Sequence, residues 1–390
     1  MKMKNNLIWL ILIILVPVFS LANPDQSNNL FQNMNEHFYQ AQEDTSISSS
    51  ESNLQIHGYL TQAYARTTDY QIFGITDSGT ADYRSAALQF RYSITSNDIF
   101  VVQFAHERIG RSHVNDVKDD VELDWIFFEH KFTPDTSIKL GKIQIPLGFY
   151  NEIRDVGTLL PFYRPPSVFY IEGGYSTETL NGVALSHTFF SEKDWNIDTS
   201  VYYGNWVGIR MYGELYFKEP VNDMFGINVW LNTPYEGTRL GASFSRYNAP
   251  PLGAPPNTEP VDWKMASFSA EAAYHQFSFK TEYIYAAETD NKYNAYYGLV
   301  TYKPTEKLAI NLQAEIGKID LNPPFIGTLK INWNKDYALG IDYFFTTQLV
   351  AKFEGHWNKG FAYDNLPMEY ILFGKPLKSK YFILSLSVSF

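Results

Sequence analysis

The stretch YFILSLSVSF, Tyr381 to Phe390, decides how the rest of the chain is read. Phe382, Leu384, Leu386, Val388 and Phe390 are apolar at every second position, and Ser385, Ser387 and Ser389 stand between them. Period-two alternation over this length describes a β-strand with one oily face and one wet face. A strand that finishes on an aromatic, with no polar tail behind it, is expected to sit against an apolar medium rather than water.

Working outward, composition agrees with strands. Aromatic residues make up 17% of the chain, yet mean hydropathy is slightly negative, so the aromatics are not part of a general greasiness. Stretches rich in Tyr, Phe and β-branched residues, punctuated by Gly, Asn, Asp and Pro, dominate over helical periodicity. The formal charge of −11 argues against nucleic acid as a partner, because phosphate binding needs clustered cations. The absence of cysteine excludes disulfides, thiolate metal sites and a cysteine nucleophile.

At the other end, Lys2 and Lys4 precede an apolar run from Leu7 to Phe19, followed by Ser20, Leu21 and Ala22. A basic start, a short apolar run and small residues predict a signal peptide over 1–22. The run is shorter than the ~20 residues a membrane helix needs. Residues 23–53 form a polar segment ending in TSISSSES, expected to lie in the periplasm. Leu30, Met34 and Phe38 in it are spaced for one short amphipathic helix.

From Leu54 to Phe390 the pattern predicts about sixteen strands joined alternately by tight turns and longer connections. The expected segments include Leu54–Arg66, Val121–Phe132, Ser137–Ile145, Trp195–Tyr203, Phe225–Leu231 and Lys380–Phe390. Connections after Ile145 and Tyr203 are expected to be long. In FSFKTEYIY, Phe277, Phe279, Thr281, Tyr283 and Tyr285 share one face, and Ser278, Lys280, Glu282 and Ile284 the other. In LAINLQAEI, Leu308, Ile310, Leu312, Ala314 and Ile316 oppose Asn311, Gln313 and Glu315. A soluble sandwich would bury its apolar faces, whereas here the opposite faces carry ionisable groups suited to a water-filled lumen. The fold class that satisfies all of this is all-β: a transmembrane antiparallel barrel, closed because lipid tolerates no open sheet edge.

Two resemblances follow from these residues. Phe382, Leu384, Leu386, Val388 and Phe390 resemble the sorting signal that outer-membrane barrels present to the barrel-assembly machinery. The stretch LDWIFFEHKFTPDTSIKLGKIQIPLGFYNEIRDVGTLLPFYRPPSVFY, Leu123 to Tyr170, is similar to the fourth-strand to third-loop region of bacterial porins. It is closest to the superfamily of general diffusion and phosphate-selective porins. The resemblance implies a third loop folded into the lumen, a Gram-negative outer membrane with its lipid and lipopolysaccharide, and homotrimers. The basic ladder that phosphate selectivity requires is not found among these residues.

The connection 146–178 supports a constriction on its own terms. It is too long for an ordinary loop and too apolar for a disordered one, with Leu159, Leu160, Phe162, Val168, Phe169 and Tyr170 needing burial. Pro161, Pro165 and Pro166 stiffen it. Its charged residues Glu152, Arg154, Asp155, Arg164 and Glu172 are candidates for the constriction. The facing wall offers Arg91, Lys139, Lys142, Lys280 and Lys352 as cations. The acidic wall candidates are Glu122, Asp124, Glu282, Glu315, Asp342 and Glu354. Lys142 faces the lumen only if Gly141 marks a bulge. The plainer reading of each charge is a salt bridge pinning the loop.

Other chemistry is sparse. His57, His106, His113 and His130 lack metal-ligand spacing, and the glycines lack the strand-to-helix setting of a phosphate loop. The reading is a passive channel for small hydrophilic solutes and ions, with no cofactor, metal or catalytic residue. The alternatives are a structural or adhesive barrel without an open pore, a barrel hydrolase, and a soluble exported sugar-binding protein.

Overall fold

In the computed structural model the described residues are 53–170, 178–212, 215–251, 254–255, 257–322, 327–364, 370–371 and 373–390. The expected signal peptide, nearly all of segment 23–53, and Glu172 lie outside them. The first eight strands are β1 (Leu54–Thr67), β2 (Thr80–Ser93), β3 (Asp98–Ile109), β4 (Glu122–Thr133), β5 (Thr136–Gln144), β6 (Thr179–Phe189), β7 (Asn196–Tyr212) and β8 (Leu215–Asn232). Then follow β9 (Arg239–Ala249), β10 (Val261–Tyr274), β11 (Phe277–Glu288), β12 (Asn291–Thr305), β13 (Leu308–Leu321), β14 (Leu329–Thr346), β15 (Leu349–Gly360) and β16 (Leu377–Ser389). Every strand pairs antiparallel with its sequence neighbours, and β1 pairs with β16, so the sheet closes into a sixteen-stranded barrel. No helix among the described residues is long and apolar enough to cross a membrane.

Alternation fixes which way each strand faces. Along β13, Asn311, Gln313 and Glu315 are buried inside the barrel, while Leu312 stands outside and more than half exposed. β11 buries Glu282 and Ile284 and turns Phe277 and Phe279 outward. β16 buries Tyr381, Ile383, Ser385 and Ser387 and presents Leu384, Leu386 and Phe390 to the exterior. The apolar half of YFILSLSVSF therefore lies on the outer surface, and the serines line the interior.

Two stretches differ from the sequence reading. The residues expected to form a long connection after Tyr203 are strand: β7 and β8 stay paired out to Tyr212 and Leu215. Irregular register between Gly204 and Trp206, and a positive φ of 54° at Asp223, absorb the Gly and Pro residues that break the alternation there. Gly141 has φ +136°, but its register is continuous on both sides, with Phe127 opposite in β4 and Gly182 opposite in β6. No residue is inserted at Gly141, so Lys142 faces outward beside Leu140. Its Nζ reaches back to the carbonyl of Leu123 on the neighbouring strand. The assignment of Lys142 to the lumen wall is thereby corrected.

Candidate pore constriction

The connection from β5 to β6 enters the barrel and crosses it. Its path is a series of short turns, with amide-to-carbonyl bonds from Ile153 to Tyr150 (3.0 Å), Val156 to Ile153 (3.0 Å) and Leu159 to Val156 (2.9 Å). Leu160, Phe162, Val168, Phe169 and Tyr170 are buried, as their apolar character demands. Asn151 ties the base of the loop to the carbonyl of Ile145 at 2.8 Å.

What holds this loop across the lumen is the ionisable wall. Glu282 of β11 accepts hydrogen bonds from the Phe149 amide (3.1 Å), Tyr297 (2.6 Å), Ser269 and Tyr170. Glu315 of β13 accepts from Ser167 Oγ at 2.7 Å and the Val168 amide at 3.4 Å. Glu354 of β15 takes the Tyr163 amide at 2.8 Å. Lys352 donates to the carbonyls of Gly157, Leu160 and Phe162. Asn311 donates to both the Pro161 carbonyl (3.0 Å) and Asp342 (2.8 Å). Hydrogen bonds to charged groups contribute about 1.5–3 kcal/mol each, and a buried charge stripped of its partner costs more. Glu282, Glu315, Lys352 and Glu354 are inward-facing wall residues, but they are covered by the loop and anchor it.

The loop's own charges divide. Arg154 is buried, with Nη2 3.4 Å from the Tyr170 carbonyl and Nε 4.0 Å from Glu178 Oε2. Asp155 lies beside it, and Asp155, Glu178 and Asp124 converge so that one carboxylate oxygen of each lies within 4.8 Å of the others. Burial, then the neighbouring Glu178 carboxylate, holds Asp155 well above the usual carboxylate range. Burial, then Asp124, raises Glu178 against the opposing pull of Arg154. Arg164 goes elsewhere: its guanidinium stacks 4.9 Å from the Phe73 ring and 5.3 Å from that of Tyr83, whose hydroxyl it also touches. Glu152 is exposed, and its carbonyl accepts from Gln144 at 2.9 Å.

Asp124 reaches the interior through a bulge. Pairing passes from Gln103↔Trp125 to Phe104↔Leu123, leaving Asp124 as the extra residue of β4. The bulge turns both Asp124 and Trp125 inward, and Gln103 donates to Asp124 Oδ2 at 2.8 Å. Glu122, also inward-facing, takes the Asp119 amide at 3.1 Å. Lys139 lies 5.2 Å over the Phe127 ring on the inner face of β5. Arg91 shares the inner face of β2 with Tyr83 and Ser85, opposite Gln55 and nearer the tight-turn rim.

Beyond the loop, a cavity of about 680 Å³ opens against β9–β14. Lys280, Asp342, Arg239, Glu271 and Lys303 are among its lining residues. Lys280 sits 3.3 Å from Glu271 and 5.2 Å over the Phe149 ring. Charges of both signs share this wall, while the carboxyl groups of Asp124, Asp155 and Glu178 gather on the side of β1–β4. Sequence reasoning misses Glu178, Arg239, Glu271 and Lys303. Lys303 was legible, since alternation carried on past Tyr302 from Tyr297, Leu299 and Thr301 puts it inside.

OmpT of Vibrio cholerae aligns over 88% of this chain and all of its own, with TM-score 0.57 and 10% identity. OmpF of Salmonella typhi, solved with daunomycin, aligns over 86% of this chain and 97% of its own, with TM-score 0.57 and 11% identity. The fold is that of the outer-membrane porins. An anion-selective porin from Comamonas acidovorans extends the likeness, covering 87% of this chain and 100% of its own at TM-score 0.54 and 11% identity. No protein-family model and no curated protein matches the sequence. At these identities the porin likeness is one of backbone architecture.

Proposed function

We propose that this chain is a porin: an exported outer-membrane channel through which small hydrophilic solutes and ions diffuse passively. The observation that carries the reading is the loop drawn into a closed barrel and pinned there by Glu282, Glu315, Lys352 and Glu354. A loop so placed narrows a lumen without filling the 680 Å³ beside it. Charges in a narrow, partly desolvated passage act more strongly than on an open surface. Arg239, Lys280 and Lys303 against Glu236, Glu271 and Asp342 give the passage mixed charge, and the net negative chain gives it a weak preference for cations. No reaction and no cofactor enter this reading.

The rest of the cell biology follows from it. Cleavage after Ala22 delivers the chain to the periplasm, the assembly machinery reads Phe382 to Phe390, and the outward apolar face meets lipid and lipopolysaccharide. A homotrimer is the expected assembly, and one neighbour, OmpT of Vibrio cholerae, is described in a trimer form (12% identity, TM-score 0.54).

One observation favours a second reading, a closed structural or adhesive barrel. The loop reaches the far wall, where Thr158 donates to Ser389 at 3.1 Å and Gly157 packs on Thr61 and Ser387. Single-channel recording in planar bilayers under a salt gradient separates the two. Stepwise openings with a reversal potential of cation-selective sign are expected. Silence from a folded, heat-modifiable barrel would favour the closed form.

A further inference from the structure

Three converging carboxyl groups come from separate parts of the fold. Asp124 is the bulge residue of β4, Asp155 belongs to the loop, and Glu178 is the last residue before β6. One oxygen of each lies within 4.8 Å of the other two. Oxygens bound to one hard cation at about 2.4 Å are separated by at most about 4.8 Å, twice the bond length. Three oxygens at that limit lie about 2.8 Å from their common centre, so small side-chain rotations bring all three onto one ion.

A second, independent feature points into the same place. Tyr59 of β1 is only 7% exposed, and its hydroxyl makes no well-formed hydrogen bond, with Ser85 the one side chain that approaches it as a partner. Asp155, Asp124 and Glu178 all act on that hydroxyl electrostatically. Glu178 Oε1 is likewise buried without a partner. Buried polar atoms left unpaired cost about 1–3 kcal/mol each, and a bound ion is one of the usual reasons for tolerating them. The nearby positive charge is Arg154, with Nε 4.0 Å from Glu178 Oε2, and Lys118 and Lys142 act from further away. With one guanidinium among three carboxyl groups, Asp155 keeps its proton and donates it to Glu178, and a bound cation would take that proton's place.

We propose that Asp124, Asp155 and Glu178, with Tyr59 Oη beside them, bind one hard divalent cation of the calcium type and tie the loop to the β1–β4 wall. Oxygen-only donors from carboxylates and a phenol suit calcium better than zinc or copper. The inference rests on the channel reading and deepens it by giving the constriction a regulator: the bound ion displaces the proton held between Asp155 and Glu178 and fixes the loop to the wall. Its test does not require conduction, so a failed site and a failed channel are told apart.

The experiment is terbium(III) luminescence of the folded full-length mature chain in a neutral detergent free of lipopolysaccharide, excited through Tyr59 and Trp125. A saturable one-site signal, displaced by calcium but not by sodium, is expected. Asp155→Asn and Glu178→Gln are each expected to weaken binding by roughly tenfold or more, because ligand charge sets affinity. Tyr59→Phe should weaken it by a smaller factor. If one of these variants loses its heat-shifted gel mobility, Asp124→Asn and the remaining variant carry the test. No saturable emission, or binding kept within about twofold in the folded variants, overturns the site. Terbium binding together with a silent bilayer would leave the site standing and remove the channel.

Discussion

Gly58 and Phe390 close the barrel: the amide of each donates to the carbonyl of the other, both at 2.9 Å. A Cβ built on Gly58 would fall 2.6 Å from Phe390 Cζ, so the ring lies over the glycine and covers a position that has no side chain. Aromatic cover of a strand glycine supports register at a seam, and here it joins the first strand to the last.

This contact predicts a coupling. Phe390→Ala should destabilise the barrel by roughly 1 kcal/mol, the scale of a good cross-strand pair. Gly58→Val should cost more, because its methyls displace the ring. In the double variant the ring no longer crowds the valine and only the Ala87 carbonyl, 2.9 Å from the added Cβ, still does, so the combined cost should be less than the sum of the two. Urea unfolding midpoints in detergent measure this, and strict additivity would show that the ring does not rest on Gly58. Phe390→Ala is also expected to lower the yield of assembled barrel in cells.

Lys352 supplies a second test, because one ammonium serves three loop carbonyls. Lys352→Met keeps the stem's length and removes every donor. The loop segment from Gly157 to Phe162 should then loosen, and the barrel should lose about 3–5 kcal/mol as the buried acids Asp342 and Glu354 lose their cation. Larger, noisier conductance steps and a lower heat-shift temperature are the expected readouts. Unchanged steps would mean the loop is held without Lys352.

How far the sequence discloses this arrangement depends on the local pattern. β11 and β13 alternate without interruption, so Lys280, Glu282 and Glu315 are placed inside by counting alone. β4 is harder: Glu122 and Asp124 share parity with Ile126 and Phe128, which face outward, and only the bulge at Asp124 reconciles them. At Gly141 the opposite happens, since a glycine that suggests a bulge leaves the register intact and sends Lys142 outside. β7 and β8 hide behind Gly204, Gly208, Pro220 and Asp223, which read as a loop but are absorbed by irregular pairing. The meeting of Asp124, Asp155 and Glu178 is a tertiary event. Nothing in spacing alone reveals that an insertion site, a loop crest and a loop end share one point.

Gly148 turns the loop inward at φ +61°, with no space beyond its Cα because Tyr170 Oη and Glu282 Oε1 stand against it. Gly148→Ala should cost about 1–2 kcal/mol for the left-handed backbone, with a further penalty for pushing on the Glu282 anchor. Faster amide exchange of Phe149 and Tyr150 is expected. Wild-type protection of these amides would show that the hinge lies elsewhere.

Asp364 links two long loops, accepting from the Gly74 amide and from Gln71 Nε2 at 3.3 Å. Burial raises its carboxyl above the ordinary range, while the Gly74 amide, Gln71, Arg164 and His113 pull the other way. The closed state therefore holds the proton more tightly than the open one. Closure should be favoured most at low pH and weaken as pH rises through and above the usual carboxylate range. Asp364→Asn should abolish the trend. Hydrogen exchange at Gly74, corrected for intrinsic pH dependence, measures it, and protection that rises with pH would reverse the assignment.

Face assignment yields the sharpest comparison of charges. Lys142 stands outside the barrel beside Leu140, and Lys280 stands inside over Phe149 and Tyr150. A charge on the outer wall is separated from the passage by the sheet, whereas an inner one acts across a gap shorter than the ~10 Å screening length at 0.1 M salt. Lys280→Gln should therefore shift the reversal potential further toward cations, and Glu271→Gln, which removes its acidic partner in the lining, should shift it back. Lys142→Gln should leave it where it was. Recording all three in the same salt gradient checks the register of β5 as well as the charge of the constriction. An effect of Lys142→Gln equal to that of Lys280→Gln would place Lys142 in the lumen after all.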